Sequence, residues 1–171
     1  HLRASHQDPV QRIIFDDMKY SFDDLKGKVA VITGGFGILG MALTRGLAEA
    51  GVNLAVISRS ADNPAKGEAL AKEFGIKCLG ISASTTDKAA LEAARDLIHE
   101  KLGKIDILIN CAGGNSPKAT TAVEQMSKDD DLANTFYGLD MDGFQFVYDL
   151  NFKGPILATM VFTTDMIEAG K

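Results

Sequence analysis

The sequence predicts an α/β fold built on a doubly wound parallel sheet, and three observations point there. Short β-branched apolar runs alternate with segments of helical period, and glycines punctuate the joints. The composition is that of an ordinary globular domain: 171 residues, 46% hydrophobic, 24% charged and 7% aromatic. Those fractions exclude collagen-like repeats, coiled coil and wholesale disorder. A chain of this length buries roughly 70% of the surface it exposes unfolded, enough for one core. Strands and helices alternating at this spacing require parallel pairing through right-handed crossovers.

Residues 1–17 are polar and without a clean period, and are read as an N-terminal extension, either upstream sequence or non-native, with an arm that docks on the fold as the alternative; the fold is expected over 18–171, from Met18 onward. Lys28-Val29-Ala30-Val31-Ile32 is an apolar run closed by Thr33-Gly34-Gly35, which reads as a strand buried on both faces. Ile38 to Ala50 carries Leu39, Ala42, Leu43 and Leu47 at helical spacing, with Gly51 as a stop. The unit then repeats. Asn53–Ser58 is a strand, Pro64–Phe74 a helix, Ile76–Ile81 a third strand, and Asp87 caps a helix running to about Leu102. Ile105–Asn110 is the fourth strand, and a last helix covers about Asp142–Ala169, bent near Gly154-Pro155. Between them the segment 114–140 is long and polar, an insertion of the kind that serves function or stays disordered. Its triplet Asp129-Asp130-Asp131 reads as a solvated face and not as a metal site, because three adjacent carboxylates cannot all point at one ion.

Charge and cysteine usage exclude whole classes of function. With 18 Lys+Arg against 23 Asp+Glu the net charge is −5, and no basic stripe occurs, so neither nucleic acid nor an anionic membrane is the expected partner. No apolar run approaches the ~20 residues of a membrane span, and the start HLRASHQDPVQRII lacks a signal peptide's apolar stretch. Cys78 and Cys111 show no metal-like spacing, which fits free thiols in a cytoplasmic protein.

Gly35-Phe36-Gly37-Ile38-Leu39-Gly40 is a G-x-G-x-x-G that follows a strand and opens a helix. Glycines let a pyrophosphate approach the backbone, and the helix N-terminus offers unpaired N–H groups and a positive dipole end. An acidic residue at the end of the second strand would hold the ribose 2′-hydroxyl of NAD. Here that place reads Ser58-Arg59-Ser60; Arg59 suits a 2′-phosphate, which favours NADP over NAD, with Asp62 as the alternative ribose acceptor.

Taken together, Thr33-Gly34-Gly35-Phe36-Gly37-Ile38-Leu39-Gly40, Asn110-Cys111-Ala112-Gly113 and Leu150-Asn151-Phe152-Lys153-Gly154 resemble the short-chain dehydrogenase/reductase family. The resemblance runs from about Phe22 to the last residue and implies a Rossmann-type NAD(P)-dependent oxidoreductase of alcohols and carbonyls. Asn110 through Thr121, the insertion and Asp142-Gly143-Phe144 resemble the branch of D-mannonate oxidoreductases (fructuronate reductases), with gluconate dehydrogenases and ketoacyl reductases as near neighbours. The insertion is then expected to shape a pocket for a sugar acid.

By that resemblance the cofactor site comprises Thr33 to Gly40, Ser58, Arg59, Ser60, Ser84, Asn110, Ala112 and Gly113. Two positions depart from the family pattern. Its second glycine usually falls one place after Gly37, and the adenine-binding Asp is replaced by Ser84, a weaker acceptor. Family catalysis uses Ser and Tyr-x-x-x-Lys, whereas Tyr20, Tyr137 and Tyr148 are followed four places on by Asp24, Met141 and Phe152. Of the catalytic group only Asn151 is present, expected to hold the bent helix open and anchor a water; a purely structural role at the bend is the alternative. The expectation is an inactive N-terminal portion of an enzyme, its sheet truncated after the fourth strand and following helix. A dinucleotide-sensing module without turnover is the alternative. The family also implies a homo-oligomer packed through the last helix.

Overall fold

The computed structural model describes residues 21–170, so the extension read for residues 1–17 and the start at Met18 lie outside it. Four parallel strands, β1 (Val29–Thr33), β2 (Asn53–Ser58), β3 (Cys78–Ser82) and β4 (Ile107–Asn110), form one sheet in the order β3-β2-β1-β4. The register pairs Val31 with Ala55 and Leu108, and Val56 with Gly80. Every residue of β1 is buried, because helices cover both faces and leave no side for polar residues.

Alternation along the strands divides the core in two. On one face Ala30, Ile32, Leu54 and Val56 pack with Ala48 of α1 (Ile38–Glu49) and Leu70 of α2 (Asn63–Phe74). On the other, Val29, Val31, Ala55 and Ile57 pack with Leu91 and Ile98 of α3 (Lys88–Lys101) and with Val161 and Phe162 of α5 (Gly154–Phe162). Each fully buried Ile, Leu or Phe stabilises the fold by about 1.5–3 kcal/mol relative to exposure, which makes this double layer the main source of stability.

Where boundaries differ from the sequence pattern, side chains have taken over backbone partners. The third strand begins at Cys78 and not Ile76, because the Lys77 N–H donates to Asn53 Oδ1. The fourth begins at Ile107 and not Ile105: Val29 N–H donates to Asp106 Oδ2, and Ile105 N–H to Asp165 Oδ2. Asp87 caps α3 as its position suggested, accepting from Ala90 N–H at 3.1 Å.

The last helix is not one bent rod. It divides into α4 (Met141–Tyr148), a π turn (Asp149–Lys153), α5 and a short α6 (Thr164–Glu168). Gly154 N–H reaches back five residues to Asp149 O, just before Pro155, which has no N–H to give. The segment 114–140 is built from three 3-10 turns, Pro117–Ala119, Leu132–Asn134 and Phe136–Gly138, each capped by a side chain. Of the acidic triplet, Asp130 accepts from Ser127 N–H, and Asp131 from Ala133 N–H at 3.0 Å.

Strand order reverses at β1: the chain moves outward to β2 and β3, then returns to place β4 on the other side. In open α/β sheets a crevice opens at such a switch point, outside the carboxyl ends of the strands.

Candidate functional site

A cleft of about 830 Å³ occupies that position, walled by the loops that follow all four strands. Its volume is in the range of small-molecule and cofactor sites.

The loop after β1 is the floor. Gly34 has φ +69°, and a Cβ there would lie 2.7 Å from Ala112 Cα, so a side chain would force the first and fourth loops apart. Thr33 Oγ1 closes the same joint by accepting the N–H groups of Cys111 and Ala112, each at 3.2 Å. A Cβ on Gly40 would collide with the Gly34 carbonyl oxygen. Gly37 is the N-cap of α1 and offers no side chain. The N–H groups of Ile38, Leu39 and Gly40 precede the first intrahelical bond, Met41 N–H to Gly37 O at 2.8 Å, and all three residues line the cleft. These donors and the helix dipole suit an anion. Buried Thr44 fixes the loop from below, donating to Gly35 O at 3.0 Å.

After β2, Ser58, Arg59 and Ser60 form the next wall. Fully buried Asn63 holds this turn in place: its Nδ2 donates to Ser58 O at 2.9 Å and to Ile81 O at 3.0 Å, while Ser58 Oγ donates to its Oδ1 at 2.8 Å. Lys66 also reaches the cleft, with Nζ 3.0 Å from Asp62 Oδ2 and 5.6 Å from the Phe36 ring centre. Asp62 is held below the usual carboxylate range, first by the Ser60 hydroxyl and next by Lys66.

The loop after β3 contributes Ala83 and Thr85. Ser84, between them, is not on the wall; its hydroxyl lies 2.9 Å from that of Thr86 and accepts the Thr86 N–H. After β4 come Cys111, Ala112 and Gly113, while Asn110 turns its amide to Thr159 Oγ1 at 3.2 Å. Asn151, in the π turn, uses its whole amide on the backbone. Nδ2 donates to Gly114 O (2.6 Å) and Val147 O (2.8 Å), and Oδ1 accepts from Gly114 N–H (3.0 Å).

The structure therefore brings together Gly34, Phe36 to Gly40, Ser58 to Ser60, Ala112 and Gly113, places buried Thr33 and Gly35 behind that wall, and leaves exposed Asn110 off it, turned toward Thr159. Sequence reasoning missed Ile57, Lys66, Ala83, Thr85, Cys111 and Leu150 on the wall, and Thr44 and Asn63 behind it. The buried polar Thr44 and Asn63 stand at helix positions that face the sheet, a signal visible only as polar breaks in apolar periods. Among the described residues the wall carries Arg59 and Lys66 and no carboxylate, although the chain as a whole is acidic. No group of three His, Cys, Asp or Glu able to hold a metal occurs among the described residues.

A glycine-floored, cation-edged cleft at the switch point of a doubly wound sheet defines the class of dinucleotide-binding α/β proteins. Residues 28–171 match the short chain dehydrogenase family, and the chain belongs to that family. It is 39% identical over 151 residues to the uncharacterized oxidoreductase UxuB of Bacillus subtilis, covering 86% of this chain and 52% of that protein. It is 31% identical over 159 residues to the 2-dehydro-3-deoxy-D-gluconate 5-dehydrogenase of Formosa agariphila, covering 90% and 53%. A crystal structure with bound NAD, of a Haemophilus influenza protein assigned as a D-mannonate oxidoreductase, superposes with TM-score 0.75 at 35% identity, covering 83% of this chain and 51% of that one. The chain thus spans about half the length of the relatives it matches.

Proposed function

We propose that this chain is the nucleotide-binding part of an NADP(H)-dependent oxidoreductase acting on a sugar acid of the D-mannonate/fructuronate type. The observation that carries the cofactor reading is the wall itself: N–H groups ahead of the first intrahelical bond at the start of α1, and two cations, Arg59 and Lys66, on a lining that holds no carboxylate, Asp62 standing off the wall. A polyanionic dinucleotide gains charge-assisted hydrogen bonds there. The nicotinamide cofactor, when bound, supplies or accepts a hydride at its C4.

The chain's own residues bind and orient. Ile38, Leu39 and Gly40 would hold the pyrophosphate, and Arg59 a 2′-phosphate on the adenosine ribose. Asn151 is a positioning residue that fixes Gly113 and Gly114 beside the nicotinamide end through Gly114 N–H and C=O. With Ser84 engaged by Thr86, the adenine side rests on Ala83 and Thr85.

The sugar-acid reading is supported by the D-mannonate assignment of the Haemophilus protein. Its bound NAD favours NAD as the second cofactor reading, and the Formosa relative favours a gluconate-type substrate. The absence of Tyr-x-x-x-Lys, together with coverage of half the relatives' length, supports an incomplete active site. Exposed Phe146, Tyr148, Phe152 and Met160 on α4, the π turn and α5 support homo-oligomerisation through the last helical segment. The free thiols of Cys78 and Cys111 support a cytoplasmic location, and no helix among the described residues is long and apolar enough to cross a membrane.

The test is the initial rate of NADPH oxidation by the full-length protein with fructuronate, a gluconate-type ketone and a ketoacyl substrate. Fructuronate is expected to react fastest; equal rates on all three overturn the substrate assignment. The 171-residue chain is expected to show no turnover, and measurable carbonyl reduction by it overturns the reading of an incomplete site.

A further inference from the structure

We propose that Lys66 is a second specificity-determining cation for the nucleotide's 2′-phosphate, released for that task by exchange from Asp62. The inference rests on the NADP reading above and adds a residue on α2 to it.

Three placements lead there. Lys66 lines the same cleft as Arg59 and Ser60, though it belongs to the first turns of α2 and not to the loop after β2. Its ammonium is already aimed: Asp62 Oδ2 lies 3.0 Å from Nζ, and the Phe36 ring of the glycine loop lies 5.6 Å below it. The Asp62 carboxylate and the Phe36 ring hold the side chain at the cleft wall, which lowers the ordering cost of binding. Asp62, by contrast, is not on the wall, and its other carboxylate oxygen accepts the Ser60 hydroxyl.

Both side chains of the Asp62–Lys66 pair are substantially exposed, and exposed pairs of this kind are weak. A phosphate carries more charge than the single carboxylate and presents three acceptor oxygens, so an ammonium within reach of both goes to the phosphate. A ribose bearing only a 2′-hydroxyl offers no such gain and leaves Lys66 on Asp62. The pair therefore separates the two dinucleotides: Arg59 and Lys66 clamp the phosphorylated one from two elements, and neither is engaged by the other.

The adenosine half of the site lies in the loops after β1, β2 and β3 and in the first turns of α2, so the test uses the purified chain and small probes. Isothermal titration with 2′,5′-ADP and with 5′-AMP is compared for the unsubstituted chain and for Lys66→Gln, Lys66→Arg, Arg59→Gln and Asp62→Asn. The unsubstituted chain should prefer 2′,5′-ADP at least about tenfold. Lys66→Gln should lose about tenfold on 2′,5′-ADP and stay within about twofold on 5′-AMP, as expected for one charge-assisted contact. Lys66→Arg should restore the preference, and Asp62→Asn should tighten 2′,5′-ADP alone.

If Arg59→Gln loses the preference while Lys66→Gln keeps it, the NADP reading stands and the role of Lys66 is overturned. Equal losses on both nucleotides in Lys66→Gln also overturn it, by showing a structural effect. Unchanged or weaker 2′,5′-ADP binding by Asp62→Asn overturns the exchange. Equal affinity of the unsubstituted chain for the two probes overturns the NADP reading and the inference together, and binding of neither overturns the cleft assignment beneath both.

Discussion

Replacing Asp165 with Asn should destabilise the chain by about 2–3 kcal/mol at pH 7, and the loss should shrink as the solution is acidified. The carboxylate is 5% exposed and joins three elements. Oδ1 accepts from Lys104 Nζ at 3.0 Å; Oδ2 accepts from His99 Nε2 at 2.7 Å and from the buried Ile105 N–H at 2.9 Å. Burial is the largest single influence on this group and works against ionisation. The Ile105 N–H, the Lys104 ammonium and His99 outweigh it together and bring the carboxyl down to about 2 from 3.8. A carboxylate that ionises more readily folded than unfolded stabilises the fold when deprotonated. At 1.36 kcal/mol per pKa unit that contribution is about 2 kcal/mol, complete above about pH 5, about half gone by pH 3 and lost below pH 2. Asparagine keeps the volume and one acceptor, yet turns an NH2 toward donors that Oδ2 now receives, so a buried N–H loses its partner. The assay is urea unfolding followed by circular dichroism for both proteins from pH 7 to pH 3. A difference under about 0.5 kcal/mol at pH 7, or one that stays constant to pH 3, would refute the ionic character assigned to this junction.

Three further outcomes follow from the cleft and the core. Gly34→Ala puts a Cβ 2.7 Å from Ala112 Cα in a backbone with φ +69°; a loss of about 2–4 kcal/mol is expected, read as a Tm lowered by roughly 5–10 °C, with dinucleotide affinity falling in parallel. Asn151→Ala removes the bonds to Gly114 and Val147, which should cost about 1 kcal/mol and weaken NADPH binding while leaving 5′-AMP binding unchanged in titration. Burial pushes the Cys78 thiol up to about 11, so iodoacetamide at pH 8 should modify Cys111 and spare Cys78 until the chain is unfolded. Mass spectrometry of the digested protein reads the two sites, and equal labelling in the folded chain would contradict the packing of β3.

How much of this was legible in the sequence depended on whether the cause was local. Val29–Thr33 and Asn53–Ser58 announce themselves because both faces are buried, which leaves a continuous apolar run. The glycine loop was legible for a similar reason, since Gly37 and Gly40 are demanded by Gly34 and Gly35 within the same few residues and Gly34 by its own positive φ, although the close approach of Ala112 to Gly34 comes from far along the chain. The starts of β3 and β4 were not. Asn53, Asp106 and Asp165 divert backbone N–H groups there, and two of those three lie more than 50 residues away along the chain from the group they bind. Thr85 and Lys66 reach the cleft from a loop and a helix whose approach depends on packing, so no spacing rule marks them. Ser84 differs in another way: counting along the chain found the loop that reaches the cleft, while the Ser84 hydroxyl bonds with Thr86 and its neighbours Ala83 and Thr85 form the wall.

The π turn shows why a regular helix would not serve at this place. The same helical segment must bury Ala158, Val161 and Phe162 against the sheet and also present groups to the cleft one turn earlier. A straight α-helix advances 100° per residue, so the phase that seats α5 in the core fixes where residues 147–153 point. One extra residue in the turn, made by the Gly154 N–H bond to Asp149 O, shifts that phase. With the shift, Leu150 lines the cleft, Asn151 reaches Gly114, and Gly154 packs so closely on Thr85 that a Cβ would come within 2.9 Å of Thr85 Oγ1. Pro155 removes the N–H that would otherwise restore the regular ladder, and Asn151 Nδ2 satisfies the Val147 carbonyl. The irregularity thus joins the third and fourth loops to one rigid element, and that joint is a property of three side-chain types in sequence, Asn151, Gly154 and Pro155, acting on neighbours far away in the chain.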